Sequence, residues 1–527
     1  MRKMFCCLAP ILLLAVAMAG CGGGDPGTTP TGTAQISLTD APGADFDNVL
    51  ITVRAVWFHT SDASGPDDAG WLKIPLATPR TVDLARLTDG TTFPVFDGIT
   101  LPVGHYQQIL VFLAPTEDNA FLQPYNNEVI DNNVACPLRV PDAAHGIRLA
   151  GSFRITDGGT LRIAIDFDIG HDVVRVMRGG ATEYILKPRL RYFDLDNVGS
   201  VTGRIDAATR SAGYNFVFKA ERPNSDYTFY QVHRFTTVRP DNAFVLSFLA
   251  PGTYDIVMRG RGVETVIVRG VPVTRGNATD LGPAISMPPG TEFAANVSVH
   301  PTGSWVNFYQ TLDNAVTGVP EIPYEIRYRH VNPFTGSFFD DIALSNGPIH
   351  LRAYTAAGGG STSPVASISP KEWNGGNAGF GAVAQAVLYD RSPFTPVDNA
   401  MTSPISFGSL TVMAPAVPRS TSGLVTVPNM RTMGDPGGLE NGFLVAVHGG
   451  MIVDKTDMTP GMMGMGNNEY SFDNLPGGSL AFQLPGSYYN IEAIGWTSTS
   501  FAIGVSPVAD LRTGDSTGTN FPMFRIF

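Results

Sequence analysis

The sequence predicts an all-β protein built from several tandem antiparallel β-sandwich domains. Three observations predict it. First, Gly (58) and Pro (40) are abundant in the 527 residues, which favours many tight turns over long helices. Second, apolar and polar residues alternate with period two along several runs. Leu161-Arg162-Ile163-Ala164-Ile165-Asp166-Phe167-Asp168-Ile169 has an apolar residue at every odd position. Such a run turns one face to a core and the other to water. Third, a turn recurs. Leu101-Pro102-Val103-Gly104-His105-Tyr106 returns as Leu249-Ala250-Pro251-Gly252-Thr253-Tyr254, and more loosely as Leu484-Pro485-Gly486-Ser487-Tyr488. Pro fixes φ and Gly permits φ > 0, so the chain reverses tightly and Leu and Tyr can enter one core. Recurrence implies at least three sandwich units.

The chain opens with Arg2-Lys3 and an apolar stretch from Leu8 to Ala19, broken by Pro10. That is about twelve residues, where a bilayer-spanning helix needs roughly 20. Residues 1–20 are therefore expected to be a signal peptide. It ends Met18-Ala19-Gly20-Cys21, which resembles the lipobox of bacterial lipoproteins, with Met18 in place of the family's preferred Leu. The resemblance implies that Cys21 is the lipidated first residue of the mature chain. Residues 21–32 carry no large apolar side chain after the cysteine and read as a flexible tether. Gly22, rather than Asp, follows the cysteine; in a Gram-negative cell that pattern implies sorting to the outer membrane. The segment Gly22 to Gly27 formally matches G-x-G-x-x-G, but no strand precedes it in the mature chain and no helix follows, so a dinucleotide site is not expected.

The first domain is placed at 33–196. Val49 to Phe58, His105 to Leu113, Gly146 to Ile155 and Tyr184 to Tyr192 are its further strands, with Pro188 marking an edge. The series Ile36-Ser37-Leu38-Thr39-Asp40-Ala41-Pro42, Trp71, Val82-Asp83-Leu84, Leu101 to Tyr106, Gln108-Ile109, Gly146 to Leu149, Ile165 to Asp168 and Leu186-Lys187-Pro188 resembles, in this order, domain-of-unknown-function family 4382. That family occurs mostly in bacterial lipoproteins and implies no activity. Asp40, Asp45 and Asp47 lie in a Pro-Gly loop dense enough in oxygens to be calcium candidates. The spacing is not that of an EF-hand, and short Asp side chains also cap turns. Asp166 and Asp168 share a strand face expected to be solvent-exposed, where Asp166 has Lys187 as a candidate partner.

Residues 197–288 open with Gly199 to Ile205, run through Ala243 to Phe248 into the Pro-Gly-x-Tyr turn, and close with Val271 to Gly276. This order resembles carboxypeptidase-regulatory-like and transthyretin-like sandwiches, which implies a non-catalytic spacer or binding unit. Two further β-rich domains are placed at 289–415 and 416–527. Their strands are Phe334 to Phe339, Ile349 to Tyr354, Phe443 to Val447 and Ile491 to Trp496. In the last domain Met458, Met462, Met463 and Met465 crowd together near His448 and are copper(I) candidates. The alternative reading is a Gly-rich loop in which exposed Met is tolerated.

Composition narrows the function. Hydrophobic residues make up 43 % and charged ones 16 %, ample for several cores. The net charge of −12, with no basic cluster, argues against nucleic-acid binding. Of four cysteines, only Cys136 remains after the leader and Cys21, so no intramolecular disulfide is available to the mature chain. Cys136 is expected to be a small buried hydrophobe. H-E-x-x-H, G-K-[ST] and C-x-x-C are missing, and the nine His residues are scattered. The expectation is an exported, non-enzymatic protein held to the cell envelope by lipid, needing no cofactor, with a binding or structural role toward a surface glycan or protein. The alternatives are an envelope hydrolase acting on glycan or protein, whose carboxylate pair would be set by the fold, and a calcium- or copper-binding module.

Overall fold

The computed structural model describes residues 29–526 apart from 41–45, 63, 117–123, 141–142, 144, 170–172, 179–180, 187–189, 301–303, 313–321, 331–336, 346, 356–360, 369–379, 386–390, 398–404, 411–414, 416, 432–436, 449–450, 478–479, 482–483, 486–487 and 499. Within them the protein is four β-sandwiches.

The first holds β1 (Thr31–Thr39), β2 (Asn48–His59), β3 (Leu72–Asp83), β4 (Phe93–Pro102), β5 (Gly104–Leu113), β6 (Glu128–Asp131), β7 (Val134–Arg139), β8 (Ile147–Ile155), β9 (Thr160–Asp166), β10 (Val173–Arg178), β11 (Ala181–Leu186) and β12 (Arg191–Asp194). The second holds β13 (Gly199–Arg204), β14 (Tyr214–Pro223), β15 (Tyr230–Thr237), β16 (Ala243–Leu249), β17 (Gly252–Arg261), β18 (Val266–Val273) and β19 (Ala278–Asp280). The third holds β20 (Glu292–His300), β21 (Trp305–Gln310), β22 (Tyr324–His330), β23 (Ser337–Ser345), β24 (Ile349–Thr355), β25 (Ser361–Ile368), β26 (Phe380–Gln385), β27 (Thr395–Val397) and β28 (Ile405–Ser409). The fourth holds β29 (Pro418–Val427), β30 (Asn441–His448), β31 (Met451–Asp457), β32 (Gly466–Pro476), β33 (Leu480–Ala481), β34 (Leu484–Pro485), β35 (Tyr488–Trp496), β36 (Phe501–Val505), β37 (Ala509–Asp510), β38 (Ser516–Thr517), β39 (Phe521–Pro522) and β40 (Phe524–Ile526).

One topology is repeated four times. In each unit the first strand lies between an antiparallel and a parallel neighbour: β4-β1-β9, β16-β13-β19, β23-β20-β28 and β32-β29-β38. The facing sheet runs β3-β2-β5-β8, β15-β14-β17-β18, β22-β21-β26-β27 and β31-β30-β35-β36. The parallel pair forms because the last strand returns to the first sheet from the opposite one, by a connection too long for a hairpin. The differences between units are additions: β6-β7 and β10-β11-β12 in the first, β24-β25 in the third, and β33-β34, β37, β39 and β40 in the fourth.

The recurring turn occupies equivalent places in the first two units, between β4 and β5 and between β16 and β17. Leu101 and Tyr106 enter the first core, Leu249 and Tyr254 the second. Gly252 takes φ +150°, a conformation left to glycine. Each tyrosine hydroxyl donates back four residues: Tyr106 to the Pro102 carbonyl at 3.0 Å, Tyr254 to the Ala250 carbonyl at 2.8 Å. This hydrogen bond locks the corner. Tyr254→Phe is expected to cost about 1 kcal/mol, measured by urea denaturation; an unchanged midpoint would mean that the corner does not depend on it. In the third copy Tyr488 turns outward instead, and its neighbour Tyr489 fills the core.

Cys136 is buried in the first core, as expected. The run from Tyr184 to Tyr192 is not one strand. The chain leaves the large sheet at Leu186 and enters the small one at Arg191; Lys187 and Pro188 lie outside the described residues. The helical structure includes a short helix, Ala207–Ala212, capped by Asp206 accepting from Thr209 N–H at 2.7 Å. Among the described residues no helix is long and apolar enough to cross a membrane.

The second and third sandwiches share a sheet. The inserted β24-β25 hairpin adds to β18, parallel, so one sheet runs β15-β14-β17-β18-β24-β25. Tyr230, Val257 and Ile267 of the second unit help to close the third core. Sheet β15-β14-β17-β18 is therefore covered on both faces, and β17 is buried from Tyr254 through Gly260.

Candidate functional site

Cys21 and Asp45 lie outside the described residues. Asp40 and Asp47 do different jobs. Asp47 accepts from Asn133 N–H at 2.8 Å and caps the β6-β7 turn, where Asn132 and Asn133 are left-handed. Asp40 is sealed at the end of β1. One carboxylate oxygen accepts from Ile169 N–H at 2.8 Å, and the other has no hydrogen-bond partner. Burial first, then the charges of Asp166 and Asp168, drive its pKa well above the carboxylate range, against the Ile169 hydrogen bond. Among the described residues no three His, Cys, Asp or Glu side chains are grouped to hold a metal ion.

The methionines serve the fourth core. Met458 is buried in it, and Met462 and Met463 lean on it from a turn closed onto the Thr459 carbonyl. Met465 is exposed. The sulfur of Met458 lies over Gly442, at the start of β30, whereas His448 ends that strand. Six residues of strand separate them, about 20 Å.

What the fold does bring together is charge at the junctions between sandwiches. Asp166 and Asp168, expected on a wet face, are both buried. Arg234 of β15 reaches across and pairs with Asp166 at 2.5 Å, with both side chains almost fully buried. Arg191 pairs with Asp168 at 3.1 Å. The Arg234 guanidinium also lies 4.9 Å from the Phe193 ring and 5.8 Å from that of Phe248, rings that stack on each other at 5.4 Å. Phe248 is held at φ +57°, in a bulge where two residues of β16 face one of β13. That conformation costs a bulky residue about 1–3 kcal/mol, and the ring it turns outward is the one that meets the first sandwich. Arg239 and Thr236 extend the seam onto Asp89, at 2.7 and 3.3 Å.

Residues 31–188 match the model of a domain of unknown function (DUF4382). The matched segment spans β1 through β11, the sandwich whose acidic residues have just been placed. No curated protein matches the chain. Among solved structures, the Bacillus anthracis TIE protein aligns over 95 % of this chain and 76 % of its own, at 9 % identity and a TM-score of 0.14. A pilus-presented adhesin aligns over 93 % and 99 %, at 8 % identity and a TM-score of 0.10. Both TM-scores are far below that of a shared fold.

The DUF4382 sandwich also carries the fourth unit, on the outer face of its large sheet. Gly65 offers bare backbone to the Tyr488 ring, and any Cβ there would overlap it. Asp68 accepts from Gly65 N–H at 2.9 Å, from Arg512 at 2.8 Å and from the Tyr488 hydroxyl at 3.3 Å. Arg139 pairs with Glu492 at 3.2 Å, both buried. Arg148 bonds Gln108 and the Ser64 carbonyl and lies near the Tyr488 ring. His448, fully enclosed, donates from Nδ1 to the Tyr488 carbonyl at 2.7 Å. The C-terminal sandwich thus folds back onto the first. Sequence reasoning missed these seams; a buried Arg in a strand looks the same as a solvent-facing one.

Beside Gly65 lies a serine–histidine contact. Ser64 Oγ lies 3.3 Å from His59 Nε2. His59 Nδ1 accepts from Ser61 N–H at 2.8 Å, so the proton sits on Nε2, which also faces the Ala69 carbonyl at 3.1 Å. In that tautomer Nε2 has no lone pair with which to take a proton from Ser64.

Proposed function

We propose that the chain is a lipid-anchored cell-envelope protein with a non-enzymatic binding or architectural role, and that in a Gram-negative cell it sits at the outer membrane. The observation that carries this reading is the placing of Cys21. It follows an apolar stretch too short to span a bilayer and precedes a tether without large apolar side chains; the first strand begins at Thr31. Ten residues reach at most about 35 Å when extended, enough to hold the body clear of the headgroups. One acyl chain gives marginal binding and two hold firmly, so a diacylated Cys21 suffices as an anchor. The seams support an architectural role, because buried charge pairs fix how the sandwiches meet. Of the carboxyls driven up by burial, Asp40, Asp166 and Glu221 are shut away from substrate-sized molecules.

Cys21→Ser tests the anchor. In fractionated cells the variant is expected to move from the membrane to the soluble fraction and to lose labelling by a fatty-acid analogue. A variant that remains wholly with membranes in detergent-free buffer would sink the reading.

A further inference from the structure

The sheet shared by the second and third sandwiches buries a positive charge that no described carboxylate pairs with. Alternate residues of β17 face the third unit. Asp255 among them is fully met: it accepts from the Tyr324 hydroxyl at 2.7 Å, from Arg269 at 3.3 Å and from Gly270 N–H at 2.9 Å. Val257 enters the third core. Arg259 is 4 % exposed, and its Nε and Nη1 are buried without a hydrogen-bond acceptor. Among the described residues no carboxylate forms an ion pair with it. Among the described residues the charges that act on it most are three cations, Arg327, Arg329 and Arg261, and one carboxylate, Glu292. Glu292 is already engaged by Arg261 at 3.2 Å and by Gly262 N–H at 2.7 Å.

A guanidinium does not give up its proton inside a protein, so this charge persists and needs a counter-charge. Buried charges are tolerated when paired and hydrogen-bonded. Water would satisfy the N–H groups but leave the charge. The planar fork of arginine fits two oxygens of a tetrahedral oxyanion. Arg261, Arg327 and Arg329 have interactions of their own and contribute here only their charge.

We propose that a small free tetrahedral oxyanion of the phosphate or sulfate class binds Arg259 in the junction between the second and third sandwiches. At this depth a phosphodiester held in a bilayer surface does not reach the guanidinium.

The test uses the full chain, purified in detergent and dialysed into chloride. Inorganic phosphate and sulfate are titrated by calorimetry and by thermal melting, with sodium chloride at matched ionic strength as control. Phosphate or sulfate should give saturable heat and raise the melting temperature, while chloride does neither. Arg259→Met keeps the stem and removes the charge; its affinity should fall at least tenfold, with a melting temperature in chloride no lower than that of the parent. Arg259→Lys keeps the charge without the fork and should also weaken binding about tenfold, which covers the case in which the Met variant misfolds. A parent that takes up neither ion, or an Arg259→Met variant that binds like the parent, overturns the proposal.

Discussion

Arg234→Met is expected to weaken the seam between the first and second sandwiches by about 3–5 kcal/mol, the cost of removing one partner from a buried ion pair. Asp166 has no exposed surface and takes its closest counter-charge, at 2.5 Å, from Arg234. Its other oxygen has no hydrogen-bond partner. Burial raises the Asp166 pKa; Arg234 and then Arg191 pull it back down. Without Arg234 the carboxyl must carry a stranded charge or take up a proton, and it keeps only Arg191 at 3.6 Å. The methionine also forfeits the cation's contact with Phe193 and Phe248, worth about 0.5–2 kcal/mol. The check is a double-mutant cycle with Asp166→Asn, read by urea denaturation. The double variant should recover most of the loss, because nothing charged is then left unpaired. Single and double variants that differ by no more than the sum of independent effects would show that the pair does not hold the seam.

Acid is expected to loosen the opposite seam, between the first and fourth sandwiches, through His448. Burial first, and then the Arg148 guanidinium, lower its pKa to about 4, against the hydrogen bond to the Tyr488 carbonyl, which favours the protonated ring. In the unfolded chain the group titrates near 6.5. Between those values the unfolded chain binds a proton that the folded one refuses. The stabilisation is complete above about pH 6.5 and is lost as the pH falls toward 4. The loss amounts to about 3 kcal/mol. Asp40 and Glu221, whose pKa values are raised, slope the other way over the same range, losing stability as the pH rises above their ordinary values. The comparison must therefore be a difference. The stability of the parent relative to His448→Asn should shrink by about 3 kcal/mol between pH 7.5 and pH 4; a constant difference across that range would remove His448 as the cause.

Val49 to Phe58, His105 to Leu113, Gly199 to Arg204 and Ile491 to Trp496 could be found because their alternation is a local property, written by period two. The Leu-Pro-Gly-Tyr turn could be found for the same reason, and it marks the corner before β5, β17 and β35. What alternation says is that a polar face exists; it does not say what lies over it. Asp166 looked solvated because its neighbours in sequence were Arg162 and Asp168, and it is dry because β15 of the next unit brings Arg234 onto it. The methionines looked like a metal cluster because they are close in sequence, and they part because a turn directs three of them to the core and one to water.

The sequence by itself determined the all-β class, the corners and, with four cysteines in all, how few disulfides the chain can form. These rest on local chemistry: side-chain period, backbone freedom at Gly and Pro, and the count of thiols. Only the tertiary structure decided that one seven-stranded topology occurs four times, that the second and third units share a sheet, and that the fourth returns to the first. Those outcomes depend on contacts between residues tens to hundreds of positions apart, such as Arg139 with Glu492. Burial, and with it the ionisation of each carboxyl and imidazole at the seams, is a property of the neighbours that the fold supplies.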